Sequence, residues 1–412
     1  MWEQIYANKR KSAWLASLMA VLLLILGYVL AEYYAPGYGV AGLFLAFTIW
    51  LIMALIAYYG GDGLFLAMSG AKKIEKQDLP QLYNVVEEMT IASGLGKIPA
   101  IYVIDDPAPN AFATGRNPEH AAVAVTSGLL RVCSRDELQG VLAHEIGHVK
   151  NRDILLMLFA GVMVGAIALL AEVGLRGHWF MGGRSRRSSD GGGGQMQAII
   201  MLVAIVLMIL APLIAQVIYF AISRKREYLA DASAARYTRY PEGLAAALEK
   251  ISTAPEKLSS ANRVTAPMYI INPLKREGSR AANITSTHPP ISERIAILRA
   301  MGGVTFAAYD KAFRQSKKSR SSVIPASALK ETAAEEAPLS KAAEPEDSAA
   351  TIKKRAREVD NFFYRQDQYL AMGCVCGTTL KIPPGFLASQ VICPHCKRKH
   401  RASEFKPLAK NR

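Results

Sequence analysis

His144 and His148 stand four residues apart with Glu145 beside the first of them, in the stretch His144-Glu145-Ile146-Gly147-His148. On an α-helix that spacing puts both imidazoles on one face, where two ring nitrogens can grip one Zn²⁺ ion. The Glu145 carboxylate can then reach a water on that ion and accept its proton, because zinc lowers the water's pKa toward neutrality. The chemistry is hydrolysis by a hydroxide made at physiological pH. The competing reading is chance spacing on a solvated helix, in a chain with seven histidines among 412 residues.

A catalytic zinc normally takes three protein ligands and leaves a fourth position open. A histidine further along the same motif would supply the third, but Ile154 stands where it would fall and Asn151 where that pattern needs glycine. The metzincin arrangement is thereby excluded. A glutamate on a later helix is the other source. Glu227 has Asp231 four residues on and on the same face, where an aspartate could accept the free N–H of a ligating imidazole. The same two carboxylates also suit a solvated helix face neutralising Arg224 and Arg226.

These residues must be positioned by elements partly embedded in a bilayer. Hydrophobic residues make up 51% of the chain, and four apolar stretches occupy 13–31, 40–59, 154–175 and 198–222. Each has about the 17 to 25 residues that a membrane-crossing helix needs. The first is longer than a secretory h-region and no A-x-A site follows it, so a retained anchor is expected. Lys9, Arg10 and Lys11 precede the first pair and Lys72 and Lys73 follow it, while 32–39 between them holds no Lys or Arg. That bias predicts a cytoplasmic active site and cytoplasmic termini. Against it, Arg176, Arg184, Arg186 and Arg187 lie between the last two stretches, and Glu172, Pro212 and Gln216 interrupt those stretches. Polar groups at membrane depth face protein or water, which predicts sheltered helices there. An even number of crossings returns Glu227 to the side of His148.

The formal charge of +15 comes without an aromatic-basic nucleic-acid module, and the basic residues cluster beside the apolar stretches. Anionic membrane lipid, not nucleic acid, is the expected partner. Between the second and third stretches the spacing predicts a helix over 79–94 and strands over 98–104 and 121–126. The helix carrying the histidines opens at Ser134, with Glu137 completing a capping box. No breaker follows His148, so this helix is expected to run through Asn151 and Asp153 into the third apolar stretch. From about 317 to 357 the composition turns to Ala, Glu, Lys, Ser and Pro, predicting a flexible linker. Near the end, Cys374-Val375-Cys376 and Cys393-Pro394-His395-Cys396 form two close couples. Four thiolates so spaced suit a structural tetrahedral zinc, with His395 or His400 as possible substitutes. Cys133 stands apart and reads as a small buried side chain.

Four motifs in order resemble the HtpX family of membrane-bound zinc endopeptidases, relatives of the CAAX prenyl proteases. They are Asn110-Ala111-Phe112-Ala113-Thr114-Gly115, residues 144–148 with Asn151 and Asp153, Arg226-Glu227-Tyr228-Leu229-Ala230-Asp231, and His288-Pro289-Pro290 with Arg294. The resemblance covers 1–302. It implies an α-helical membrane protein with a mainly α (α+β) zincin-type metalloprotease domain, acting in a bacterial inner membrane on polypeptide substrates such as misfolded or damaged membrane proteins. It further implies catalytic zinc on His144, His148 and Glu227, and Glu145 as general base. Asp231 and Asn151 would support the ligands, and Asn110 and Ala111 would lie beside the substrate backbone. His288 and Arg294 otherwise read as a surface histidine and a helix-start arginine; the resemblance makes them donors to the developing oxyanion, each such donor being worth on the order of 10²-fold in rate.

The expected divisions are a membrane hairpin over 1–71, the protease domain over 72–302 interrupted by two apolar spans, a flexible linker over 303–360 and a zinc-ribbon-like tail over 361–412. That tail lies outside the HtpX pattern; Cys374, Cys376, Cys393 and Cys396 would hold a second, structural zinc for an unidentified partner. The alternative class is a non-catalytic membrane adaptor recruiting a partner through the tail, which requires a closed four-ligand zinc site.

Overall fold

In the computed structural model, residues 2–181, 194–256, 258–259, 268–271, 288–331 and 349–408 are described. Arg184, Arg186 and Arg187, between the last two apolar spans, lie outside them. Helices α1 (Trp2–Tyr34) and α2 (Gly39–Met68) pack as a hairpin. Glu32 closes it by accepting the N–H groups of Gly37 and Gly39 at 2.8 and 2.9 Å. Small residues set the crossing: a Cβ on Gly27 would stand 2.4 Å from the Ala46 Cβ, the close backbone approach typical of membrane helices. Both are long and apolar enough to cross a membrane, and Phe44, Leu45, Ile52 and Leu55 point outward.

The third and fourth apolar stretches fall within α6 (Asp153–Met181) and α7 (Gly194–Thr238). Met19, Leu23 and Leu26 of α1 join Ile167, Ala204, Met208 and Ala211 in one buried cluster. Helix α7 then continues past its apolar part as a buried helix, so one element carries Glu227 from the apolar bundle into the domain that holds the histidine motif.

That domain packs helices on a sheet of order β1-β2-β4-β3, with β1 Lys72–Lys73, β2 Ala100–Ile104, β3 Ala111–Gly115 and β4 Ala121–Thr126. Strand β2 is parallel and β3 antiparallel to β4, so β3 is an edge. Helices α3 (Pro80–Ser93), α4 (Ser127–Val132), α5 (Arg135–Lys150) and α8 (Pro241–Thr253) share its core. Gly94 stops α3 in the left-handed region at φ +64, as a glycine cap does. The expected strands and the capping box at Ser134 are present.

Two expectations differ from the structure. Helix α5 does not run straight into the third apolar stretch: it ends at Lys150, and Arg152 at φ 56 turns the chain before α6 begins at Asp153. The described residues of the expected linker over 303–360 are also mostly helical. Helices α9 (Ile291–Arg299), α10 (Phe306–Lys317), α11 (Ala326–Glu331) and α12 (Ala349–Gln366) follow one another, with 332–348 outside the described residues. Phe306, Tyr309, Phe313, Val359, Phe362 and Phe363 enter the core of that domain. Charged outer faces dominate the composition there, but a sparse apolar stripe at helical spacing anchors each helix. The tail folds as two hairpins, β5 (Leu370–Gly373) with β6 (Thr379–Ile382) and β7 (Gln390–Ile392) with β8 (Lys399–Arg401), and β9 (Lys406–Pro407) adds to β5.

Candidate metal centre

Helix α5 is buried continuously from Gly140 to Val149, since Val141, Leu142, Ala143, Ile146 and Val149 wrap the motif in apolar side chains. That removes the solvated-face reading: His144, Glu145 and His148 are 0%, 2% and 5% exposed. The two Nε2 atoms lie 3.2 Å apart. Each ring's other nitrogen faces a carboxylate, Asp231 Oδ1 at 2.9 Å from His144 Nδ1 and Asp153 Oδ2 at 3.3 Å from His148 Nδ1. A hydrogen bond on Nδ1 leaves the Nε2 lone pair free to ligate.

Glu227 meets those lone pairs from α7, with Oε2 3.7 Å from His144 Nε2 and Oε1 3.5 Å from His148 Nε2. One donor atom from each of the three residues falls within 4.8 Å of the others. Glu227 Oε2 is buried with no hydrogen-bond partner, and an unsatisfied buried carboxylate oxygen is costly. Two imidazole nitrogens and a carboxylate oxygen are a donor set that fits Zn²⁺ and satisfies that atom.

Burial sets the electrostatics. It pushes Glu145 up to about 7, against the opposing charge of His148 and a hydrogen bond from the Ala113 backbone. Burial likewise lifts Glu227 to about 7 and pulls His144 down to about 3 despite its bond to Asp231. For His148 burial also pulls downward, but the Asp153 hydrogen bond and the Glu227 charge outweigh it and raise the group to about 9. Proton and metal compete for the same nitrogen, so metal binding there releases a proton.

The other expected residues divide. His288 is buried with Nε2 3.6 Å from Glu227 Oε2, on the site. Arg294 is fully buried: Nε and Nη2 donate to Asp231 at 2.9 and 2.7 Å, while Nη1 donates to the Ile270 carbonyl at 3.2 Å and stands 3.5 Å from Glu227 Oε2. It therefore both braces Asp231 and faces the Glu227 carboxylate of the site. Asn151 caps α5, its N–H donating to the Gly147 carbonyl at 3.0 Å. Asn110 and Ala111 are taken by the chain itself: the Ala111 carbonyl accepts the Ile270 N–H at 2.9 Å, and Asn110 Nδ2 donates to the Ile271 carbonyl at 3.0 Å. Nothing in the sequence marked 268–271 as a partner of β3. The contact of Asp153 with His148 is not marked in the sequence either, because it depends on the turn at Arg152.

In the tail, the sulfurs of Cys374, Cys376, Cys393 and Cys396 lie within 4.8 Å of one another, presented by the turns of the two hairpins. All are free thiols, as is buried Cys133. His400 Nε2 sits 3.2 Å from Cys374 Sγ, while His395 is exposed.

Residues 76–302 match the family described as Peptidase family M48. The Protease HtpX homolog of Dictyoglomus thermophilum is 45% identical over 301 residues, covering 73% of this chain and 95% of that protein. The protein so described from Syntrophobacter fumaroxidans is 44% identical over 294 residues, covering 71% and 98%. The crystal structure of S. mikatae Ste24p aligns at 21% identity with a TM-score of 0.39, covering 72% of this chain and 67% of that chain.

Proposed function

The chain belongs to peptidase family M48 and is a membrane zinc metallopeptidase, and from that premise we propose an endopeptidase that cuts membrane proteins, misfolded or damaged ones among them, at the cytoplasmic face of a bacterial inner membrane. The observation that carries the site is the meeting of His144, His148 and Glu227 around a buried carboxylate oxygen that accepts no hydrogen bond, with Glu145 next door.

His144, His148 and Glu227 would hold the ion. Zinc bound there supplies Lewis acidity toward the scissile carbonyl and brings the pKa of a water near neutrality. Glu145 accepts the proton of the attacking water and returns it to the leaving amine. Burial opposes ionisation at Glu145 and so favours its taking up that proton. Asp231 fixes the His144 tautomer, and Arg294 holds Asp231 in place. His288 and Arg294, 3.6 and 3.5 Å from Glu227 Oε2, are the side chains that would donate to the oxyanion. In this reading Ala111 is an acceptor for the substrate backbone, and a peptide pairing with β3 exchanges with residues 268–271.

The tail is read as a second, structural zinc module on Cys374, Cys376, Cys393 and Cys396, with His400 hydrogen-bonded to Cys374. The cytoplasmic orientation rests on the basic residues flanking the α1–α2 hairpin. The adaptor reading is not favoured, because it needs a closed ligand set and the protease group has three members among the described residues.

Glu145→Gln is the test. The variant should bind zinc as the wild type does and lose cleavage of an unfolded membrane substrate by on the order of 10²-fold or more. Undiminished proteolysis by the pure variant would overturn the mechanism.

A further inference from the structure

Each metal-facing imidazole has a carboxylate behind it, and each carboxylate an arginine. His144 is followed by Asp231 and then Arg294. His148 is followed by Asp153 at 3.3 Å, whose other oxygen lies 3.4 Å from Arg226 Nε. The first series contains the Asp231 that the motif spacing already singled out. We infer that Asp153, backed by Arg226, is the positioning residue for the His148 half of the metal centre, and that through it α6 and α7 hold that half in register. The inference rests on the reading of His144, His148 and Glu227 as zinc ligands.

The backbone argues for this independently of the contacts. On an unbroken helix the residue five past His148 would lie about 140° around the axis, away from the imidazole. The chain instead leaves α5 after Lys150, passes through Arg152 at φ 56 and restarts at Asp153. A non-glycine residue in the left-handed region is uncommon, and such conformations collect at functional sites. Here the turn brings a 0% exposed carboxylate back onto the ring of a ligand. Asp153 is also the first residue of α6, where the helix N-terminus stabilises negative charge. Arg226 directly precedes Glu227 on α7, so one ion pair joins the second and third ligands across three helices. An aspartate so placed fixes which nitrogen of His148 carries the proton and aims the other at the ion.

The test uses the full chain in detergent with Cys374→Ser and Cys396→Ser added, so that only the protease site reports metal. Zinc affinity is measured by competition with a chelator, and the ligand field by the visible spectrum after cobalt substitution. Asp153→Ala should weaken zinc binding about 10- to 100-fold. Asp153→Asn, which keeps the shape and one acceptor oxygen, should fall between Ala and wild type and shift the cobalt spectrum. A lowered melting midpoint with unchanged affinity and spectrum would make Asp153 merely structural and overturn the inference. Should the Ala variant fail to fold, an Asn variant with wild-type affinity and spectrum overturns it alone. His148→Ala is the control on the underlying reading: if it binds zinc normally, the ligand assignment fails and the inference falls with it, whereas lost zinc in His148→Ala beside wild-type affinity in Asp153→Ala overturns the role of Asp153 alone.

Discussion

Four carboxylates crowd the metal centre, and their surroundings separate their roles. Burial pushes Glu145, Glu227 and Asp231 toward the neutral form, but Arg294 and His144 outweigh it at Asp231 and hold that group well below the ordinary carboxylate range. Glu145 and Glu227 have weaker compensation and rise to about 7. Asp231 is therefore a fixed anion that orients a ligand, whereas Glu145 is free to exchange a proton. The same residue-level reading applies to the β3 edge. The Ala111 carbonyl is occupied by the Ile270 N–H at 2.9 Å, and the Asn110 side chain brackets Ile271. A substrate backbone that needs Ala111 must release Ile270. Hydrogen exchange on Glu145→Gln protein checks this: adding a saturating, uncleaved peptide should speed exchange at residues 268–271. Unchanged protection with peptide bound would place the substrate elsewhere on the edge.

At the scale of elements, the centre depends on how closely α5 meets its neighbours. Gly140 lies where α8 crosses, and a Cβ there would stand 2.5 Å from the Leu244 backbone nitrogen. Backbone cannot rotate aside as a side chain can, so the helices must separate. Gly140→Ala should destabilise the domain by about 1–3 kcal/mol even though alanine favours a helix interior. Thermal unfolding with zinc bound measures it, and an unchanged or raised midpoint would show that the crossing yields. What was legible in the sequence follows the strength of each local signal. Ser134 with Glu137 announced α5, Gly94 ended α3, and Val123 and Val125 marked β4. Strand β3 escaped, because Ala111-Phe112-Ala113-Thr114-Gly115 is buried throughout and carries neither alternation nor a run of β-branched residues. The α5–α6 break escaped because its pivot is Arg152, not glycine or proline. Glu227 and Asp231 were visible as a pair since one continuous helix keeps residues four apart on one face. Asp153 reaches His148 only through a turn that spacing does not reveal.

The whole molecule is a membrane-anchored protease with its cysteine-bearing tail tied on by a helix that belongs to the protease core. Val359, Phe362 and Phe363 of α12 are buried in that core, and ion pairs add attachment: Arg131 to Asp360 at 2.5 Å, Arg365 to Asp78 at 3.4 Å and Lys72 to Asp367 at 2.8 Å. The exposed pairs contribute little, whereas fully burying each apolar side chain is worth about 1.5–3 kcal/mol. Helix α12 is thus a part of the protease fold that happens to follow a long polar stretch, and the hairpins beyond it are the separable unit. Two truncations distinguish the parts. Ending the chain after Gln368 should lower bound zinc from two per chain to one, as Cys374→Ser with Cys396→Ser should, and leave peptidase activity and melting midpoint near those of the full chain. Ending it before Ala349 removes α12 as well, uncovers the surface that the two phenylalanines fill, and should lower the midpoint further by an amount on the order of 5 kcal/mol in stability. Equal stability of the two truncated chains would mean that α12 contributes nothing to the protease core.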